Sequence, residues 1–226
     1  MKNFNDLKQQ WNNVSKGTNW RGYIAAGNEL EHDFKISGQN WVKHLSRYLY
    51  KFGISLNKKI VVEVGCGAGR MTYFLCERAK KVFGIDISSG LIKIANNRIK
   101  KGKHIEFLCI EEDFKNLKVI KDLSVDLIFS VAVFQHCSEE IVEKYFKFSN
   151  RVLKNNGYFV FQIPIALKHE TIPYEPEPAV DMTYWTLDEI LELAIKNNYS
   201  IINIPKDTNS NGKEYFIFKK GEQNEN

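Results

Sequence analysis

Apolar residues fall along this chain in two periods, and the two alternate. The runs "KIVVEVG" (59–65), "KVFGID" (81–86), "IEFLCI" (105–110), "VDLIFSVA" (125–132) and "GYFVFQIP" (157–164) are short and continuously apolar. That is the pattern of strands buried on both faces of a parallel sheet. Between them the spacing changes to three and four. "SSGLIKIANNRIK", after Asp86, offers a serine cap and sets Leu91, Ile94, Ala95 and Ile99 on one helical face. "SEEIVEKYFKFSNRVLKNNG" opens on Ser138 with two glutamates and closes on Asn-Gly, which predicts a helix capped at both ends. Alternation of this kind predicts an open parallel sheet with helices on both faces.

The two ends of the chain differ. "TLDEILELAIKNN" (186–198) carries a cap and an apolar stripe, and the strand-like runs "SIINIPKD" and "KEYFIFKKG" follow, joined by "TNSNG". This predicts a helix and then an antiparallel hairpin closing the sheet. Before the sheet the pattern predicts two helices, the second from the recurrence of Trp41, Leu45, Leu49 and Phe52 after Ser37. "SKGTNWRGYIAAGNELEHDF", between them, has no clean period and reads as a covering loop or lid. The organisation expected is a helical N-terminal cap or lid over 1–57, a ligand-binding domain over 58–221 with an inserted loop at 165–185, and a frayed tail at 222–226.

Composition narrows the class. The chain has 226 residues, enough to bury a full core, and its 43% hydrophobic and 26% charged residues are those of a soluble globular protein. No apolar run nears the roughly 18 residues that cross a bilayer. The N-terminus lacks the apolar core of a signal peptide, so a cytoplasmic protein without membrane attachment is expected. Cys66, Cys76, Cys109 and Cys137 form no CxxC pair, which predicts reduced thiols and no metal site. The net charge is +5, but the lysines are dispersed, which favours a solvated surface over a nucleic-acid face.

The chemistry concentrates in "EVGCGAGR" (63–70), where Gly65, Gly67 and Gly69 follow the first strand. Ligands in open parallel sheets sit beyond the C-terminal strand ends, so a ligand approaches the backbone here. A phosphate-binding P-loop needs a Gly-Lys pair, which is absent. A dinucleotide fold wants a small residue at position 70, which is Arg70. S-adenosylmethionine (SAM) suits an acidic residue two before the first glycine, and Glu63 stands there. Glu63 has two readings: it receives the ammonium of the SAM amino-acid tail, or it is a strand-end carboxylate tied to backbone amides. Asp86 ends the second strand, where an acid grips both ribose hydroxyls, a feature NAD-binding folds share. Asp113, after the third strand, can accept from the adenine amino group while Phe114 contacts the ring.

With "VVEVGCGAGR", "VFGIDIS", "EEDFKNL", "VDLIFSVAVFQH" and "VLKNNGYFVFQ" in order, the chain from Lys59 onward resembles the class I SAM-dependent methyltransferase family. The resemblance implies an α/β, Rossmann-like, seven-stranded, mostly parallel sheet whose last strand is antiparallel. It also implies SAM held by Glu63, Gly65, Cys66, Gly67, Asp86, Ile87, Asp113, Phe114 and Ser130, with S-adenosylhomocysteine (SAH) as product.

In such an enzyme alignment of nucleophile, methyl and sulfur carries most of the catalysis, and a hydroxyl acceptor also needs a base. His136 on the fourth-strand loop is the candidate; capping the next helix or lining the cofactor pocket are its other readings. "SVAV" stands where amino-methylating relatives carry [DN]PP[YF], and no proline precedes a cysteine as cytosine C5 methylation requires. A small-molecule acceptor methylated on oxygen, or less readily nitrogen, is what these exclusions leave. By analogy within the family it would be a sugar, a nucleotide-linked compound or a surface-glycan precursor. In the 165–185 segment His169, Tyr174 and Tyr184 are candidate substrate contacts, and Trp20, Arg21 and Tyr23 are candidates on the opposite wall. An RNA or protein methyltransferase and a non-catalytic SAM-binding module are the competing functions. The expected state is a monomer or homodimer.

Overall fold

The computed structural model describes residues 3–17, 20–24, 30–99, 104–172, 181–206 and 214–222. They form a seven-stranded, mostly parallel sheet of order β3-β2-β1-β4-β5-β9-β8 and a separate two-stranded sheet, β6-β7. Here the strands are β1 (Ile60–Val64), β2 (Lys81–Asp86), β3 (Ile105–Cys109), β4 (Val125–Ser130), β5 (Leu153–Phe161), β6 (Glu170–Ile172), β7 (Met182–Tyr184), β8 (Tyr199–Asn203) and β9 (Phe216–Lys220). The parallel sheet that the pattern predicts, in the Rossmann-like seven-stranded form that the resemblance implies, is the one found. The chain packs as two compact units, Asn5–Asp113 and Phe114–Asn226 with the first four residues.

The Asn5–Asp113 unit holds α1 (Phe4–Lys16), α2 (Trp20–Ile24), α3 (Glu31–Tyr50), α4 (Thr72–Leu75) and α5 (Ser89–Arg98) around the parallel strands β1 to β3. β1 and β2 are buried along almost their whole length, as their uninterrupted apolar sequence requires. The N-terminal helices pack in one unit with the glycine loop. There are three of them rather than two. The third starts at Glu31, six residues before Ser37, and the Ser37 hydroxyl donates back to the Phe34 carbonyl inside the helix. The buried stripe of α3 runs through Phe34, Gly38, Val42, Leu45 and Leu49; Trp41 is half-buried beside it, and Phe52 lies in the turn beyond the helix end.

The Phe114–Asn226 unit holds α6 (Glu139–Val152) and α7 (Leu187–Lys196) with the remaining strands. Its core is aromatic: Phe134, Phe146, Phe159, Phe161, Phe216 and Phe218 are all fully buried, and Phe161 stacks on Phe216 at 5.2 Å. β9 runs antiparallel to both β5 and β8, as the C-terminal pattern predicted. Its proposed turn, "TNSNG", lies outside the described residues. Thr186 and Glu189 cap α7 reciprocally in a capping box.

Two expectations change in this unit. The Asn-Gly at 156–157 does not end a helix. α6 stops at Val152, β5 starts at once, and the extra residues form a bulge between the pairs Val125–Leu153 and Leu127–Tyr158. The inserted segment 165–185 is not all loop, since β6 and β7 pair antiparallel within it.

Candidate functional site

The glycine loop is shaped by backbone conformation before any side chain matters. Gly65 and Gly67 have φ of 71° and 52°, in the left-handed region that side-chain-bearing residues avoid. The Gly65 and Cys66 N–H groups donate to the Ile85 carbonyl at 2.8 and 3.1 Å, which fastens the loop to β2. The Cys66 thiol is buried against Gly84 of β2, so Cys66 offers a ligand only its backbone. Ala68, at the loop's crest, is fully buried with Phe34 beneath the Trp20 ring.

Two buried carboxyls flank this loop. Glu63 is 4% exposed and accepts a short hydrogen bond from the Thr72 hydroxyl of α4. Burial pushes its pKa from 4.5 to about 8, against the Thr72 bond and the Arg70 charge that pull it down, with Asp86 adding a further push upward. The partner is thus a hydroxyl, not the backbone amides considered from sequence. Asp86 accepts the Gly67 N–H at one oxygen and the Ser88 N–H at the other, both at 2.8 Å. Burial raises its pKa to about 6 despite those bonds. Ile87 beside it is buried, and Asp113 is exposed at the exit of β3.

The raised Glu63 pKa has a measurable sign. Between about pH 5 and 8 the folded protein holds a proton on Glu63 that the unfolded chain has released, so stability falls as pH rises through that window. Asp86 acts in the same sense below about pH 6. The melting temperature of the ligand-free protein therefore drops between about pH 6 and 8, and Glu63→Gln, which cannot ionise, flattens the drop. An unchanged slope in the variant contradicts this assignment.

Trp20 and Arg21 lie in the same unit. The Arg21 guanidinium stacks over the Trp20 ring at 4.5 Å and grips the Glu31 carboxylate at 3.0 and 3.1 Å. Arg98 of α5 reaches the same Glu31 oxygen at 2.7 Å. An anionic substrate would have to compete with Glu31 for Arg21. Tyr23 is exposed.

The other predicted residues belong to the Phe114–Asn226 unit. Phe114 takes a left-handed φ of 58°, and its ring meets Tyr145 edge-on at 5.0 Å. Ser130 ends β4 fully buried, with no protein partner for its hydroxyl. A buried orphan of this kind marks a place where a ligand or water completes the bonding. His136 sits in a 3-10 turn, its Nδ1 3.0 Å from the Asp181 carbonyl and its Nε2 3.1 Å from the Gln135 amide nitrogen. A carbonyl only accepts, so Nδ1 carries the proton and Nε2 receives the Gln135 N–H. Burial lowers the His136 pKa, against the pull of Asp181, which keeps the ring neutral at pH 7.

His169 has the complementary arrangement. Its Nδ1 faces both Glu189 oxygens at 3.0 and 3.2 Å, while its buried Nε2 has no protein partner. Glu189 is itself held by the Thr186 N–H at 2.8 Å. Tyr184 lines a cavity of about 580 Å³ together with Ile165, Glu170, Thr186 and Asp188. Tyr174 lies outside the described residues. Trp185 is fully buried, as core packing under α7 requires.

Sequence reasoning missed Thr72, Asn12, Gln135 and Glu189. Only Glu189 left a signal, as the fourth residue of the Thr-x-x-Glu box. Among the described residues no cluster of ligands suits a metal ion, and no helix is long and apolar enough to cross a membrane. All four cysteines are free thiols.

Comparison with known proteins finds methyltransferases over parts of the chain. A family profile described as a methyltransferase domain matches residues 62–161. A 102-residue stretch, 45% of this chain, is 32% identical to 21% of phosphoethanolamine N-methyltransferase 3 of Arabidopsis thaliana. Another of 98 residues, 40% of this chain, is 35% identical to 38% of ribosomal RNA small subunit methyltransferase A of Mycoplasma mobile. Even the 169-residue match to a Saccharomyces cerevisiae protein spans only 51% of that relative, so the chain covers about half or less of these relatives' length. Among solved structures, magnesium protoporphyrin IX methyltransferase of Synechocystis PCC 6803 with bound SAM shares the fold at a TM-score of 0.64 and 17% identity. That alignment covers 97% of this chain and 96% of the other.

Proposed function

We propose that this chain is a class I SAM-dependent methyltransferase and that it methylates a hydroxyl of a small polyhydroxylated acceptor. The observation that carries the cofactor half is the pair Glu63 and Asp86, two carboxyls buried beside a glycine loop with raised pKa values. A buried carboxyl costs stability unless something compensates it, and a ligand bearing an ammonium and a ribose diol compensates both. When bound, SAM supplies a methyl carbon made electrophilic by its sulfonium.

The chain's own residues bind and orient. Each Asp86 oxygen already accepts a backbone N–H and retains lone-pair capacity for a ribose hydroxyl. Glu63, ionised by an incoming ammonium, keeps its Thr72 bond. The backbone of Gly65, Cys66 and Gly67, together with Ile87, forms the floor, and Asp113, Phe114 and Ser130 are assigned to the cofactor from the family resemblance.

His136 is the proton acceptor in this reading: its Nε2 lone pair, covered by Gln135 in the absence of acceptor, takes the hydroxyl proton as that amide gives way. His169, fixed by Glu189, hydrogen-bonds the acceptor, and the Glu170 and Asp188 carboxylates near Tyr184 suit hydroxyls better than phosphates. In methyl-labelled SAM assays over fractionated small-molecule extracts, His136→Ala lowers turnover by about tenfold to a hundredfold with SAM affinity held. His169→Ala raises the acceptor KM instead. Unchanged turnover in His136→Ala defeats the base assignment, and a kcat collapse in His169→Ala alone transfers that role to His169. Label entering RNA or protein rather than small molecules defeats the acceptor class.

A further inference from the structure

We infer that Asn12, on the first helix and 74 residues from Asp86 in sequence, is a positioning residue for cofactor binding, acting through Ser88 on the Asp86 carboxylate. The inference rests on the cofactor reading above and extends it to a residue that no motif contains. Asn12 lies in α1, and its side-chain oxygen meets the start of α5. It accepts the Ser88 hydroxyl at 2.9 Å, the Gly90 N–H at 3.2 Å and the Ser89 hydroxyl at 3.3 Å. The Ser88 hydroxyl in turn accepts the Leu91 N–H at 3.2 Å and lies 3.3 Å from the Trp11 carbonyl.

The first turn of an α-helix leaves backbone N–H groups without intrahelical partners. In α5 the helix's own cap, Ser88, satisfies Leu91, and a second helix satisfies Gly90. The Ser88 side chain is thereby fixed from two sides, and its backbone N–H donates to Asp86 at 2.8 Å. Loosening Ser88 loosens one of the bonds that orient the carboxylate; the Gly67 and Ile87 N–H groups hold the rest.

The approach of α1 is itself built in. A Cβ on Gly90 would stand 1.9 Å from the Ser15 hydroxyl oxygen and 2.7 Å from the Ser15 Cβ, so only glycine admits the crossing. Further along, Lys8 donates to the Ile110 carbonyl at 3.1 Å and Asn5 to the Glu112 carboxylate at 3.1 Å, on the segment after β3. α1 thus ties together the chain segments that leave β2 and β3.

The test is calorimetry on the full chain with SAH and with its 2′-deoxy analogue. Asn12→Ala weakens SAH binding about tenfold, the loss of one oriented, charge-assisted contact. It weakens the 2′-deoxy analogue by less than about threefold, because the grip it tunes is partly missing there. In the double variant with Asp86→Ala it adds nothing further. Asn12→Asp, which keeps an acceptor oxygen at the α5 start, restores most of the affinity. Asn12→Leu, which keeps the side-chain volume, reads the same loss should Asn12→Ala fail to fold. Equal losses for both ligands, no loss for SAH, or losses that multiply in the double variant overturn the inference. Wild-type protein that binds neither ligand overturns the cofactor reading beneath it.

Discussion

Asp86→Ala lowers affinity for SAM and SAH by about a hundredfold or more, the largest loss expected from any single substitution in the cofactor half of the site. Two charge-assisted hydrogen bonds to ribose are worth roughly 1.5–3 kcal/mol each, and each 1.4 kcal/mol is a factor of ten. The substitution also frees the Gly67 and Ser88 N–H groups that Asp86 accepts, so the loop and the start of α5 lose a common anchor. Asp86→Asn retains one acceptor oxygen and loses the charge, and is expected to fall between the two. Relief of a buried carboxyl whose pKa is raised to about 6 offsets part of the structural cost at neutral pH. The affinity loss thus comes with little loss of melting temperature. Calorimetry that finds undiminished SAH affinity in Asp86→Ala removes the ribose assignment.

Gly38→Ala destabilises the fold by about 1–2 kcal/mol, although alanine is the better helix former. An added Cβ at position 38 would lie 2.2 Å from the Arg70 carbonyl oxygen and 3.0 Å from its carbonyl carbon. Those are backbone atoms at the end of the glycine loop and cannot swing aside as a side-chain tip would. Helix propensity returns no more than about 1 kcal/mol, whereas forced overpacking costs roughly 1–3 kcal/mol and occasionally more. In a chain of this length the melting temperature falls by about 2–8 °C. The contact also fixes Arg70, whose side chain reaches the Ser37 hydroxyl at 3.4 Å and whose charge acts on Glu63. SAM affinity falls with stability. A variant melting at or above the wild-type temperature shows that α3 does not press on the loop as described.

The central strands were legible in the sequence because they are buried on both faces, so burial writes itself as an uninterrupted apolar run; the glycine loop was legible because left-handed backbone calls for glycine, as at Gly65 and Gly67. β2 begins and ends where its run does. The capping box at Thr186 and Glu189 was legible because capping is local. The Asn-Gly at 156–157 misled because left-handed backbone serves a helix end and a β-bulge equally; Asn156 has φ of 65° within β5. The start of α3 at Glu31 was missed because the apolar recurrence was counted only from Trp41, whereas the buried stripe opens at Phe34 and Gly38.

The contacts that complete the candidate site have no local signature. Thr72 meets Glu63 across the glycine loop, and Asn12 meets Ser88 and Glu31 gathers Arg21 and Arg98 only where the N-terminal helices pack. Periodicity shows that a helix has an apolar face. It does not show which loop that face covers, and so Arg21 reads as an open cation in the sequence when it is paired in the fold.

The most direct measurement of the central claim is titration of SAM and SAH into the folded, full-length wild-type chain. One site per chain is expected, with a dissociation constant between roughly 1 μM and 1 mM, and Glu63→Gln and Asp86→Ala each weaken it. Folded protein that takes up neither ligand at millimolar concentration contradicts the account at its base.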